Sequence, residues 1–172
     1  MKGPATEPEP PESWQPIRSG VVWAQYAELA EAIDALLSGE ADVCAKAANA
    51  AAAIFHTLPD INWAGFYWLR DQELVLGPFQ GQPACVRIKL GRGVCGTAAS
   101  EARTVLVPDV HAFPGHIACD TRSRSELVVP LIGAEGLFGV LDLDSPLPAR
   151  FTEDDQAGCE RLAAVLVRHL AS

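Results

Sequence analysis

The stretch LVVPLIGAEGLFGVLDL, residues 127–143, decides how this chain folds. Leu127–Ile132 and Gly136–Leu143 are both dense in Val, Leu, Ile and Phe, and Gly133-Ala134-Glu135 separates them. Two β-like runs joined by a short glycine-bearing connection predict an antiparallel hairpin, here the central one of a sheet. Further strands lie upstream. Trp63–Leu69 is short and aromatic-rich, Arg70-Asp71-Gln72 reads as a turn, and Glu73–Phe79 returns. Val86–Leu90 alternates like a third strand, and Thr104–Val107 is another short one. Gly91 and Gly93 mark a turn before a short helix, Val94–Glu101. Pro108–Arg124 has no clean period and reads as a loop, or as a short helix with loops.

Helices flank these strands. Val22, Tyr26, Leu29, Ile33, Leu36 and Leu37 recur near helical period over 21–37, and Ser38-Gly39 stops the run. Residues 42–58 are alanine-rich, with Asp42 as N-cap and Pro59 just past the end. Thr152 caps a last helix that carries Glu153, Asp154 and Asp155 in its first turn, where the helix dipole favours negative charge. It runs to about Leu170, with Leu162, Val165, Leu166 and Leu170 turned inward. Helices at both ends of a mostly antiparallel sheet define an α+β domain.

The chain of 172 residues is sized for one domain with a real core. A net charge of −9 with no basic stripe argues against nucleic acid. No apolar run is long enough to cross a bilayer. The start, MKGPATEPEPPESWQP, has no apolar h-region, so residues 1–20 read as a mobile acidic, proline-rich tail before a domain at 21–172. The expected compartment is the cytoplasm, where thiols stay reduced unless they are catalytic or regulatory. Five cysteines with no CxxC suit neither a disulfide scaffold nor a zinc site.

Cys119 stands out. In FPGHIACDTRSRSE (113–126) it follows His116 and precedes Arg122 and Arg124. Cationic neighbours lower a thiol's pKa and favour the nucleophilic thiolate. Cys85 begins the third predicted strand. Cys95 opens the short helix, a place that also favours a thiolate. Cys44 and Cys159 fall within helices and read as packing residues. Asp142 and Asp144 alternate on one strand and so share a face. Two carboxylates on one face of an apolar strand are costly unless paired or functional. Trp63 and Tyr67 share a face of their own strand. The glycines of GRGVCG lack the lysine and spacing of a phosphate loop and read as turn residues.

Five segments together resemble one family: NWAGFYW (62–68), GPFQGQPACVRI (77–88), GRGVCGTAASEARTVLVPDVHAFPGHIACD (91–120), SRSELVVPL (123–131) and GVLDLDSP (139–146). This is the family of free methionine-(R)-sulfoxide reductases, enzymes built on a GAF domain, and the likeness runs from about residue 21 to 171. It implies a sheet of about six strands with the N- and C-terminal helices packed on one face. It implies reduction of free methionine-(R)-sulfoxide, with thioredoxin as reductant and with no metal or organic cofactor. Cys119 matches the family's catalytic position. Cys85 is the first candidate for the resolving thiol and Cys95 the alternative. Glu126 matches a substrate-binding acid and joins Asp142 and Asp144 around the substrate ammonium; Glu126 or Asp144 would be the general acid. Trp63 and Tyr67 match the aromatic wall around the S-methyl group. A homodimer is left open.

Two other readings compete: a GAF sensor for a small ligand, and a thiol sensor in which Cys119 and Cys85 respond to oxidants. Turnover discriminates them, because an enzyme consumes sulfoxide with dithiol and a sensor does not.

Overall fold

The predicted hairpin forms the middle of one half of the sheet. In a computed structural model, which describes residues 22–115 and 121–171, strand β5 (Ser125–Gly133) and strand β6 (Gly136–Ser145) pair antiparallel around the turn Ala134-Glu135. Gly136 takes a φ of +106° there, a conformation that glycine adopts without strain. At its open end the ladder runs two residues past the apolar pattern on each strand, through the pairs Glu126↔Asp144 and Ser125↔Ser145. Backbone pairing does not need apolar side chains, so hydrophobic periodicity ends before the strands do.

The remaining strands are β1 (Trp63–Arg70), β2 (Glu73–Gly81), β3 (Arg87–Lys89) and β4 (Val105–Val107). The six strands run antiparallel in the order β3-β2-β1-β6-β5-β4. The third strand is shorter than its sequence pattern suggested. Cys85 lies in the irregular connection before it, and Val86 is exposed.

Each face of the sheet carries its own core. Ala64 and Phe66 of β1, Leu127, Val129 and Leu131 of β5, and Leu141 and Leu143 of β6 pack against helices α1 (Val22–Leu37), α2 (Val43–Thr57) and α4 (Glu153–Leu170). This places the N- and C-terminal helices on one face, as expected. Fully burying each such Leu or Phe contributes roughly 1.5–3 kcal/mol. All four inward positions expected of α4 are buried, whereas Leu36 of α1 is off the core face. The opposite face packs Trp63, Tyr67, Val128 and Val140 against Val94, Cys95, Ala98 and Ala99 of helix α3 (Gly93–Glu101).

Both expected caps form. Asp42 accepts from Ala45 N at 2.8 Å. Thr152 and Asp155 make a reciprocal capping box at the start of α4. Asp155 does more than cap. Tyr26 of α1 donates its hydroxyl to Asp155 Oδ1 at 2.8 Å, and Arg150 lies 3.2 Å from Oδ2. Arg150 also donates to the Pro59 carbonyl at 3.0 Å. One buried ion pair thus joins α1, the α2–β1 connection and α4. Burial alone would raise the Asp155 carboxyl; hydrogen bonds from Thr152 and Tyr26, and the Arg150 charge, overcome it and hold the group below its ordinary value. Gly158 lets α1 and α4 meet, because a Cβ there would lie 2.3 Å from the Tyr26 ring.

Cys159 is buried beside the Tyr26 hydroxyl, as a packing residue should be. Cys44 is not one: it is exposed at the first turn of α2.

Candidate functional site

The end of the ladder where polar residues replace apolar ones is also where a cleft opens. Because side chains alternate along a strand, Glu126 of β5, Asp142 and Asp144 of β6, and Trp63 and Tyr67 of β1 all reach the α3 side of the sheet. The register aligns them: Trp63 pairs with Asp144, Asp144 with Glu126, and Asp142 sits between Gly65 and Val128. All five line one cleft with Cys95, Gly93 and Val94 of α3. The cleft encloses about 520 Å³, its open mouth included. It is a narrow slot between close walls, sized for a small molecule.

Gly65 permits this packing. A Cβ at that position would lie 2.3 Å from Phe79 Cβ and 2.8 Å from the Trp63 ring. With none there, Trp63 stacks on Phe79 at 5.2 Å and on Tyr67 at 6.0 Å. The two aromatic residues expected at the site therefore form a continuous wall. Each also donates a hydrogen bond to the segment after β2: Trp63 Nε1 to the Gln82 carbonyl at 3.1 Å, and Tyr67 Oη to the Cys85 carbonyl at 2.9 Å.

The acids form a second wall. Glu126 and Asp142 are each only 6% exposed, and Asp144 is half-buried. Burial pushes the Glu126 carboxyl well above the usual carboxylate range, and the charges of Asp142 and Asp144 push it further. Burial also pushes Asp142 up to about 7, against hydrogen bonds from Cys95 and the Leu143 backbone. Carboxyl groups this close, with so little water, cannot all ionise at neutral pH, so the cluster retains a proton. The Asp142 Oδ1 atom is buried with no hydrogen-bond partner among the described residues.

Cys95 points into this acidic corner, with Sγ 3.9 Å from Glu126 Oε1. Its thiol is pushed well above the ordinary value by burial, then by Asp142 and Glu126. This corrects the expectation that a place at the helix start favours the thiolate. The dipole of a nine-residue helix does not overcome burial against two carboxyls. Cys95, Glu126 and Asp142 offer ligand atoms within 4.8 Å of one another, the spacing of a metal site. A cation there would have to displace protons from the thiol and the carboxyl cluster. Holding and passing a proton needs no such displacement.

Cys119 and His116 lie outside the described residues. Cys85 is held in a disulfide, while Cys44, Cys95 and Cys159 are free thiols. Of the cationic neighbours expected to activate Cys119, Arg124 lies 3.8 Å from Asp109, so its charge is shared. Sequence reasoning missed Gln82, Arg92 and Ser123, which also line the cleft. Ser123 is buried and accepts from Asn62 Nδ2 at 3.2 Å. A serine in the polar run TRSRSE (121–126) carries no signal of burial, so nothing local could have found it.

Fold and cleft define the class first: residues 32–171 match the family model described as GAF domain. The free methionine-R-sulfoxide reductase of Escherichia coli (strain K12) is 51% identical over 147 residues, covering 86% of this chain and 89% of the relative. The crystal structure of free methionine-R-sulfoxide reductase from Neisseria meningitidis in complex with its substrate superposes with a TM-score of 0.85 at 42% identity, covering 91% of this chain and 94% of that one. The reduced form of fRMsr from Staphylococcus aureus gives a TM-score of 0.81 at 46% identity, covering 84% and 94%. The chain belongs to the family of free methionine-R-sulfoxide reductases, oxidoreductases on a GAF fold.

Proposed function

We propose that this protein reduces free methionine-(R)-sulfoxide to methionine by thiol chemistry, with Cys119 as nucleophile and Cys85 as resolving thiol. The observation that carries the reading is the cleft itself: three acids facing an aromatic wall, beside a cysteine already in disulfide linkage. The substrate amine is cationic, and the Asp142 Oδ1 atom, which has no partner among the described residues, suits it. The S-methyl group packs against Trp63 and Tyr67, since sulfur and methyl groups pack well on rings. A proton kept by the Glu126–Asp142–Asp144 cluster polarises the sulfoxide oxygen as general acid.

The steps balance. The Cys119 thiol and the sulfoxide give methionine and a Cys119 sulfenic acid, the oxygen passing from substrate sulfur to protein sulfur. The Cys85 thiol then condenses with the sulfenic acid to give a disulfide and water. An external dithiol, for which thioredoxin is the expected carrier, exchanges with that disulfide and restores both thiols. The cytoplasm, which keeps such dithiols reduced, is the compartment that suits this cycle. Cys95 takes no part as a nucleophile here; buried and protonated, it orients the acids.

The test is a single-turnover assay on the reduced protein. Wild type should release one methionine per chain from free R sulfoxide, and Cys119→Ser none. Cys85→Ser should keep the first methionine and lose thioredoxin-driven cycling. Wild-type release by Cys119→Ser would overturn the assignment, as would oxidation of the thiols with no methionine formed, the behaviour of a redox sensor.

A further inference from the structure

We propose that the Tyr67 hydroxyl is a positioning group for the resolving thiol, holding the backbone of Cys85 where its sulfur can meet the sulfenic acid. The inference rests on the reading of Cys85 as that thiol. It gives Tyr67 a task separate from its ring, which belongs to the substrate wall.

Residues 82–86 form no helix or strand between the end of β2 at Gly81 and the start of β3 at Arg87. Besides the Cys85 disulfide, three hydrogen bonds among the described residues hold this segment. One is backbone, Leu76 N to the Val86 carbonyl at 2.9 Å. Two others rise from the floor of the cleft: Trp63 Nε1 to Gln82 O, and Tyr67 Oη to Cys85 O. The donors are 2% and 1% exposed, and the rings stack on each other, so neither side chain has room to leave its rotamer. A rigid donor thus grips the carbonyl of the reacting cysteine itself. Disulfide formation has narrow demands, with Sγ atoms near 2.05 Å and Cβ atoms about 4 Å apart. A small backbone displacement of Cys85 lowers the fraction of encounters that meet them. Burial, then the acids Asp142, Asp144 and Glu126 with Cys95 among them, raise the Tyr67 phenol far above its ordinary value, so it remains a donor across the working pH range.

The test separates resolution from substrate binding. The reduced full-length protein is oxidised with hydrogen peroxide, which converts the Cys119 thiol to sulfenic acid and releases water. Disulfide formation is followed by mass spectrometry, and surviving sulfenic acid is trapped with dimedone. Tyr67→Phe keeps the ring and removes the hydroxyl. It should slow disulfide formation about three- to tenfold, the scale of one lost hydrogen bond, and raise dimedone adduct on Cys119. Trp63→Phe, which removes the bond to Gln82, should act in the same direction and more weakly. A rate of disulfide formation in Tyr67→Phe equal to wild type overturns the inference. So does a wild type in which sulfenic acid never passes to Cys85. A parallel arm with free methionine sulfoxide reads methionine release; its failure, with peroxide-driven resolution intact, would sink the functional reading and leave the positioning role standing.

Discussion

Asp142 and Cys95 share a buried corner, and burial acts on them with different chemical results. A carboxyl raised to about 7 becomes a proton donor near neutrality, whereas a thiol raised further becomes inert. Reduced native protein exposed to iodoacetamide at mild alkaline pH should therefore label at the exposed Cys44 and at the proposed nucleophile Cys119, with Cys95 and Cys159 protected, as read by peptide mass spectrometry. Burial raises Cys159 to about 12, which supports the same outcome. Stability should follow the acids. The folded value for Asp142 lies above the ordinary 3.8, so the folded chain holds a proton that the unfolded chain has released. The stabilising effect of that proton is complete below the unfolded value and is lost as pH rises through about 7, at up to about 1.4 kcal/mol per pH unit for each such group. The melting temperature of wild type should fall between about pH 5 and about pH 8. Asp142→Asn should flatten that dependence and melt higher than wild type at the alkaline end, while losing methionine release.

Among the elements, α4 shows how local and distant information combine. Its N-terminus is written in sequence as Thr152 followed by three acids, and the capping box forms as that pattern indicates. Its docking is not local. The Asp155 carboxyl meets Tyr26, 129 positions away in the chain, and Gly158 admits the same ring. Gly158→Ala should destabilise the fold by about 1–3 kcal/mol through overpacking, seen as a lower denaturation midpoint with unchanged m-value. Thr152→Ala should cost about 1 kcal/mol. Neither residue lines the cleft, so methionine release at a temperature where both variants are folded should stay near that of wild type. The short β3 and the early end of the apolar pattern on β5 and β6 were illegible for one reason: hydrophobic period reports side-chain burial, whereas strand ends are fixed by backbone pairing with a partner.

At the scale of the molecule, one sheet serves two cores. One face, against α1, α2 and α4, holds the fold together; the other, under α3, carries the cleft. The β5–β6 hairpin belongs to both. Its odd and even positions supply Leu127 and Leu143 to the first core, and Glu126, Asp142 and Asp144 to the cleft. On the proposed function, in which the acids hold the substrate ammonium, the cleft should favour a free amino acid over a peptide. N-acetylation of methionine sulfoxide removes the cation, and kcat/KM should fall about 10- to 100-fold, the scale of one charge-assisted hydrogen bond.

The amino-acid sequence by itself determined the element order, the two faces of each strand, the helix caps and the family, because these depend on spacing within a few residues or on long motifs. It also brought Trp63, Tyr67, Asp142 and Asp144 under suspicion, since alternation along a strand is a local rule, and Glu126 through the family resemblance. Only the tertiary structure decided that Asp144 stands opposite Glu126, that Cys95 is driven away from the thiolate, and that Tyr67 grips the carbonyl of Cys85. Those facts arise where segments distant in the chain meet out of water. There the register of pairing and the loss of solvation, neither of them encoded in any short window, set which groups touch and which keep their protons.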